Sequence, residues 1–161
     1  MKRYIPYIIK LNIVLLSFTL FFSGCKEYNK EFPYVRFVQT FDLFMSSNVD
    51  LLQFAGSVID STVGYKGIVV FRRAYDEYYD DFVTFDLTCT NPDCHFNYKI
   101  SVPSFSLFAT CSNCGVVYDL YNYGFPTTLN DSVLNRNVSA SGTPLKRYST
   151  YYDGRYVSVE N

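Results

Sequence analysis

Residues 85–118 read FDLTCTNPDCHFNYKISVPSFSLFATCSNCGVVY and contain four of the five cysteines in the 161-residue chain. Cys89 and Cys94 form a C-x4-C pair, and Cys111 and Cys114 form a C-x2-C pair that is followed by Gly115. Two close cysteine pairs at this separation are typical of a metal site. A C-x-x-C turn directs two thiolates to one point, and a second pair completes a tetrahedron. The spacing therefore predicts a four-cysteine metal site on two loops, at about 88–95 and 110–116.

Short strands are expected on both sides of these loops. The chain has 16 Tyr and 15 Phe but no Trp, and aromatic and β-branched residues favour strands. Period-2 alternation predicts a strand at 34–38, and further candidate strands lie at 49–54, 67–72, 82–87, 98–102, 107–110 and 116–120. Asp153-Gly154 predicts a terminal hairpin of 146–151 with 156–159. We expect a loop at 130–142 and a solvated hairpin loop over the acidic residues 76–81. The fold class is therefore mostly β.

The N-terminus has the features of an export signal. Lys2, Arg3 and Lys10 precede an apolar run at 13–22, which is shorter than the ~20 residues of a membrane-spanning helix. Ser23-Gly24-Cys25 resembles a bacterial lipobox, which implies cleavage after residue 24 and a lipid on Cys25. We therefore expect a signal peptide at 1–24, a tether at 25–31 and one β domain at 32–161.

The cysteine loops resemble those of Rieske iron–sulfur proteins. Cys89-Thr90 is similar to the start of the first Rieske loop, and Cys111 with Cys114-Gly115 to the second. The downstream matches are Tyr118-Asp119, Gly124, Pro144-Leu145, Tyr148 and Asp153-Gly154. The resemblance extends to Rieske-like lipoproteins of Bacteroidetes-type bacteria. It implies a Rieske-like β-sandwich with a small metal-loop subdomain of rubredoxin or zinc-ribbon type.

The ligand set departs from that family. A Rieske cluster is held by two cysteines and two histidines, but Asn91 and Cys114 stand at the histidine positions. The sequence therefore predicts an all-thiolate site for Zn or Fe, or a low-potential [2Fe–2S] cluster. His95, the only histidine, is an alternative ligand, although a surface position suits it better. Asn91 before Pro92 is interpreted as a turn former.

Disulfides are the main alternative to a metal, because exported proteins meet an oxidising environment. Either Cys111–Cys114 or a bridge between the two loops would then replace the metal site, and no cofactor would be bound.

Charge and composition exclude several function classes. The net charge of −1 does not suit a nucleic-acid partner, and a single histidine excludes most Ser-His catalysis. We therefore expect a non-enzymatic, lipid-anchored envelope protein with a structural metal. Lys26 does not match the Asp that retains many lipoproteins in the inner membrane, which favours the outer membrane. The alternatives are an electron-transfer protein with an all-Cys [2Fe–2S] cluster and a metal-free, disulfide-bonded interaction module.

Overall fold

Two fully buried, mainly apolar strands form the wall between two hydrophobic cores. In the computed structural model, which describes residues 31–75, 80–127, 130–131, 136–137 and 142–161, every residue of Ile68–Arg72 and Phe82–Asp86 is buried. Side chains alternate across a strand, so Val69 and Phe71 enter one core while Ile68 and Val70 enter the other. The sequence IVVFR is apolar on both faces for this reason.

The described residues are mostly β, as the sequence predicts. They form twelve strands in chain order: β1 Val38–Asp42, β2 Ser57–Asp60, β3 Ile68–Arg72, β4 Phe82–Asp86, β5 Ile100–Ser101, β6 Phe108–Cys111, β7 Val117–Asp119, β8 Phe125–Thr127, β9 Asn130–Asp131, β10 Arg136–Asn137, β11 Arg147–Tyr152 and β12 Tyr156–Glu160. Two 3₁₀ helices, Ser46–Leu52 and Pro92–Cys94, complete the elements. Residues Phe32–Asn161 form one unit.

A six-stranded antiparallel sheet has the order β1-β12-β11-β4-β3-β2. The sheet curls until its two edge strands approach each other. The side chain of Gln39 on β1 donates a 2.8 Å hydrogen bond to the carboxylate of Asp60 on β2, at the opposite edge. The concave side holds one core, which includes Phe41, Val157 and Val159. Curling lets a single sheet enclose apolar side chains on its concave side.

A second, four-stranded sheet has the order β5-β6-β7-β8 and carries the cysteine loops. Its buried residues, such as Ala109 and Tyr118, share a core with Phe71 and Phe85 of the first sheet. Three of the four cysteines lie in this same core. The metal loops are therefore packed against the wall formed by β3 and β4.

The terminal hairpin is confirmed. Strands β11 and β12 pair antiparallel, with Tyr152 opposite Val157. The carboxylate of Asp153 accepts hydrogen bonds from the N–H groups of Arg155 and Tyr156 at 2.9 and 2.7 Å. Gly154 has a φ of +102°, which glycine adopts without steric cost.

Several predicted boundaries are wrong. Residues 49–54 are expected to form a strand, but 46–52 form a 3₁₀ helix in which Asn48 and Leu51 are buried. The first strand begins at Val38 rather than ending there, and β2 and β8 have no counterpart in the prediction. The predicted loop at 130–142 contains the short β9–β10 pair, while 132–135 and 138–141 lie outside the described residues.

Candidate metal centre

The first cysteine loop leaves β4 and is closed by backbone hydrogen bonds. The N–H of Cys89 donates to the carbonyl of Tyr98 at 2.9 Å. The side chain of Asn91 then caps the short helix Pro92–Cys94 by accepting a 2.9 Å bond from the N–H of Asp93. This confirms Asn91 as a turn former. The turn brings Cys94 back beside Cys89.

The second loop is a tight turn between β6 and β7. The N–H of Gly115 donates to the carbonyl of Cys111 at 2.8 Å, and the N–H of Cys111 donates to the carbonyl of Val116 at 3.0 Å. Gly115 has a φ of +73°, whereas a Cβ built on it would meet nothing within 4 Å. Glycine is therefore required here by backbone conformation and not by lack of space.

The four sulfur atoms converge on one point. All of the Sγ atoms of Cys89, Cys94, Cys111 and Cys114 lie within 4.8 Å of one another. The Cys89–Cys114 sulfurs are 3.7 Å apart and the Cys94–Cys111 sulfurs are 3.9 Å apart. A tetrahedral ion with bonds of ~2.3 Å places its sulfur ligands about 3.8 Å from one another. The cluster therefore has the dimensions of a single tetrahedral thiolate site.

The same distances do not fit disulfides. A disulfide requires sulfurs about 2.05 Å apart, and all four of these cysteines are free thiols in the structure. Cys89, Cys94 and Cys111 are buried, and only Cys114 is partly exposed. The site is thus an enclosed group of four thiols that opens to solvent at one ligand.

Backbone N–H groups point at the sulfurs on both loops. The N–H groups of Cys114 and Asn113 bond to the sulfur of Cys111, and the N–H of Asn91 bonds to the sulfur of Cys89. Four thiolates around a divalent ion carry an excess of negative charge. Hydrogen bonds from N–H donors offset that charge without themselves binding the metal.

Two side chains extend this outer shell. The hydroxyl of Tyr118 lies 3.4 Å from the sulfur of Cys89, and the amide nitrogen of Asn113 lies 3.6 Å from the sulfur of Cys94. The Tyr118 oxygen also accepts a 3.0 Å bond from the N–H of Thr90, while the Thr90 hydroxyl donates to the carbonyl of Thr143 at 2.6 Å. The Thr90 hydroxyl oxygen lies 3.1 Å from the Tyr118 oxygen, so the Tyr118 proton has two acceptors within reach, that oxygen and the sulfur of Cys89.

The sequence prediction did not assign a role to Tyr118 or Asn113 at the sulfurs. One signal was available for Tyr118, because a tyrosine on a buried strand needs a partner for its hydroxyl. The partner is the sulfur of Cys89, 29 residues earlier, and the sequence alone does not show which residue the hydroxyl meets.

Burial sets the ionisation of the free thiols. Burial raises the pKa of Cys94 to about 11, and it raises the pKa of Cys89 above its ordinary range. Burial also opposes ionisation of Cys111, but the N–H groups of Cys114 and Asn113 outweigh it and lower the pKa of that thiol. In the metal-free site, therefore, Cys89 and Cys94 hold their protons at neutral pH.

A buried carboxylate supports the first loop. Asp86, at the end of β4, accepts hydrogen bonds from the N–H groups of Tyr65 at 2.6 Å and Thr88 at 2.9 Å. It also accepts from the hydroxyls of Thr88 and, at 2.8 Å, Tyr148. Each of these groups is a hydrogen-bond donor, and the two carboxylate oxygens have enough lone pairs to accept from all of them. Asp86 thus holds the chain in place three residues before Cys89.

His95 is not part of the sulfur cluster. It is exposed and caps the short helix in the left-handed conformation, with a φ of 48°. The group of ligand atoms within 4.8 Å of one another consists of the four cysteines. The structure thus assembles the four predicted thiols and places the alternative ligand outside them.

The acidic loop differs from its prediction at one residue. Residues 76–79 lie outside the described part of the chain, and Asp80 is exposed, as expected. Asp81, however, is buried 3.4 Å from the guanidinium of Arg72. The guanidinium also lies over the ring of Phe82, 4.4 Å from its centroid. Asp81 is therefore a structural partner of Arg72 and not a solvated loop residue.

Cys25 and the expected signal peptide lie outside the described residues. Within the described residues, no helix has the length and apolar character needed to cross a bilayer.

Comparisons of the chain with models of protein families, with curated proteins and with solved structures found no match. The geometry of the four-cysteine cluster is accordingly the basis on which a function can be assigned.

Proposed function

We propose that this protein is a non-enzymatic, lipid-anchored envelope protein whose β domain is stabilised by one metal ion bound to Cys89, Cys94, Cys111 and Cys114. The observation that carries the proposal is the convergence of four sulfurs within 4.8 Å, with two separations of 3.7 and 3.9 Å. Metal binding to a folded site stabilises that fold. The ion would join two loops that are separated by 16 residues between Cys94 and Cys111.

Zn is the metal that this donor set favours. Four thiolates in a closed tetrahedral arrangement are characteristic of structural Zn sites. A [2Fe–2S] cluster contains two irons, so thiolates on different irons stand further apart than thiolates that share one ion. The compact sulfur group therefore supports a mononuclear site over a [2Fe–2S] cluster.

A single Fe is the second candidate, and it would make electron transfer the function. Tetrahedral sulfur ligation suits Fe as well as Zn. Cys114 is the only partly exposed ligand of the four, and an electron could leave through it. This arrangement is the specific observation in favour of a redox role.

The fold and the anchor belong to the same proposal. A four-stranded sheet that carries two cysteine loops on a larger antiparallel sheet supports a Rieske-like domain with altered ligands. Cys25 after Ser23-Gly24 supports lipidation, and Lys26 favours the outer membrane.

Metal analysis with a visible absorption spectrum tests the proposal, using protein that lacks residues 1–25 and is purified without oxygen. We expect one Zn per chain and no visible band, because Zn²⁺ is d¹⁰. A coloured protein with iron but no acid-labile sulfide would establish the mononuclear Fe alternative, and labile sulfide would establish the cluster. Absence of both metal and free thiols would refute the site in favour of disulfides.

A further inference from the structure

We propose that the surface formed by Phe32, Tyr65 and Phe96, here called the Phe32 cluster, rests on the lipid bilayer to which the protein is anchored. This inference depends on the lipid anchor of the proposed function. It adds the orientation of the domain, with the first cysteine loop directed toward the membrane.

The Phe32 cluster is a group of three aromatic rings. The ring of Phe32 packs edge-on against Tyr65 and Phe96, with centroid distances of 5.9 and 5.3 Å. Tyr65 is 38% exposed, and Phe32 and Phe96 are both partly exposed. The amino group of Lys66 lies 5.2 Å from the centre of the Tyr65 ring. The cluster thus combines apolar ring faces, a phenol and a flexible cation on one surface.

The backbone is strained where it presents Phe96. His95 and Phe96 are consecutive non-glycine residues with φ of 48° and 60°. A bulky residue rarely adopts positive φ, and such a conformation persists only where its surroundings compensate for the strain. The contact with Phe32 is one compensation. The strained turn thus holds the partly exposed ring of Phe96 at the surface beside Phe32, as a built contact surface requires.

The length of the tether places the membrane close to this surface. Six residues, 26–31, separate the lipid-bearing Cys25 from Phe32. Seven residue steps span at most about 25 Å when fully extended. Phe32 is the first residue of the domain after the tether, and it is also a member of the cluster. The anchor therefore keeps the cluster within about 25 Å of the membrane.

The chemistry of the cluster suits a bilayer interface. Aromatic residues are enriched at the level of the lipid headgroups, where a phenol can meet water while its ring contacts acyl chains. A lysine beside them can extend its amino group to the headgroups and leave its methylenes in the apolar layer. The lipid holds the protein on the membrane, and the cluster determines which face of the domain contacts the bilayer.

One of several other exposed apolar segments provides a comparison. Phe44 and Met45 are 72% and 57% exposed at the start of the first 3₁₀ helix. Neither residue belongs to the Phe32 cluster, so this segment serves as the competing surface and as the control position.

Single tryptophan reporters test the orientation, because the natural chain contains no Trp. Tyr65→Trp, Phe96→Trp and the control Phe44→Trp are each made in the full-length, lipidated protein. Each is reconstituted into phosphatidylethanolamine–phosphatidylglycerol vesicles with and without lipid brominated at shallow acyl positions. Tyr65→Trp keeps the informative position available if the strained turn does not accept Phe96→Trp. Vesicle flotation and Zn content are measured on the same samples.

We expect brominated lipid to quench Tyr65→Trp and Phe96→Trp, with blue-shifted emission and protection from aqueous acrylamide. Phe44→Trp should stay sensitive to acrylamide and insensitive to the lipid. Equal quenching at all positions, or quenching at Phe44→Trp alone, would overturn the orientation. A protein that floats and holds Zn while its Tyr65→Trp reporter faces water refutes this inference alone. A protein that does not float refutes the lipid anchor and the docking together, and loss of Zn alone bears only on the metal site.

Discussion

Replacing Cys111 by serine should remove the metal and most of the stability that the metal supplies. Cys111 is 1% exposed, and its sulfur lies 3.9 Å from that of Cys94. Serine keeps the shape of the side chain but supplies a hydroxyl in place of a thiolate, and three thiolates do not close the tetrahedron. The backbone N–H groups that face this sulfur would then lose the charge that they stabilise.

The size of the effect follows from linkage. A ligand at a free concentration 1,000 times its Kd stabilises the folded state by about 4 kcal/mol. For a domain of this size, each kcal/mol moves Tm by about 3–5 °C. We therefore expect Cys111→Ser to lower Tm by roughly 12–20 °C at that metal concentration. Ser112→Ala is the matched control, because Ser112 is exposed in the same turn and is not a ligand.

Thermal unfolding with and without a chelator separates the loss of metal from a packing defect. The chelator should lower the Tm of the wild-type protein and of Ser112→Ala to about that of Cys111→Ser, and should leave Cys111→Ser unchanged. If the chelator lowers the Tm of Cys111→Ser as much as that of the wild type, the reasoning is refuted. Full Zn content in Cys111→Ser would refute it as directly.

Three further outcomes are expected. Tyr118→Phe removes the hydroxyl beside the sulfur of Cys89 and leaves the N–H of Thr90 without its acceptor. A competitive Zn titration should therefore show about tenfold weaker binding, and unchanged affinity would exclude a role for the hydroxyl. Asp86→Asn replaces a carboxylate, which every neighbouring group faces as a donor, with an amide that must also donate. Urea unfolding should show that the free energy of unfolding falls by about 3 kcal/mol. A decrease below about 1 kcal/mol would contradict the account of this site. Zn affinity should rise with pH, because the raised pKa values of Cys89 and Cys94 keep at least two protons on the metal-free site. Their release predicts binding that tightens at least about hundredfold per pH unit between pH 6 and 8, and a pH-independent Kd would show that these thiols are already ionised.

The local features of the site could be read from the sequence because they depend on short-range geometry. A C-x-x-C turn followed by a glycine constrains two sulfurs within a few residues, and Gly115 has the positive φ that such a turn needs. Asn91 caps the helix that follows it, and Asp153-Gly154 closes the terminal hairpin. The strands predicted at 67–72 and 82–87 are present as β3 and β4, whereas their burial on both faces was not predicted.

Residues 49–54 show where apolar content along the chain misleads. Four of these six residues are apolar, yet Val49 is 49% exposed and only Leu51 enters the core. The side chain of Asn48 donates a 2.9 Å bond to the carbonyl of Asp42 and helps to fold the segment back on β1. A local hydrogen bond and a single buried leucine thus favour a 3₁₀ helix over the predicted strand.

By itself, the sequence determined that this protein is mostly β and which four thiols are spaced to share an ion, since both depend on residues that are close along the chain. The tertiary structure alone decided that β1 and β2 approach across the curled sheet, that Asp81 is buried against Arg72, and that Tyr118 faces Cys89. These contacts join residues from different strands or loops. Their partners are selected by how two sheets pack around shared cores, and no pattern along the chain records that packing.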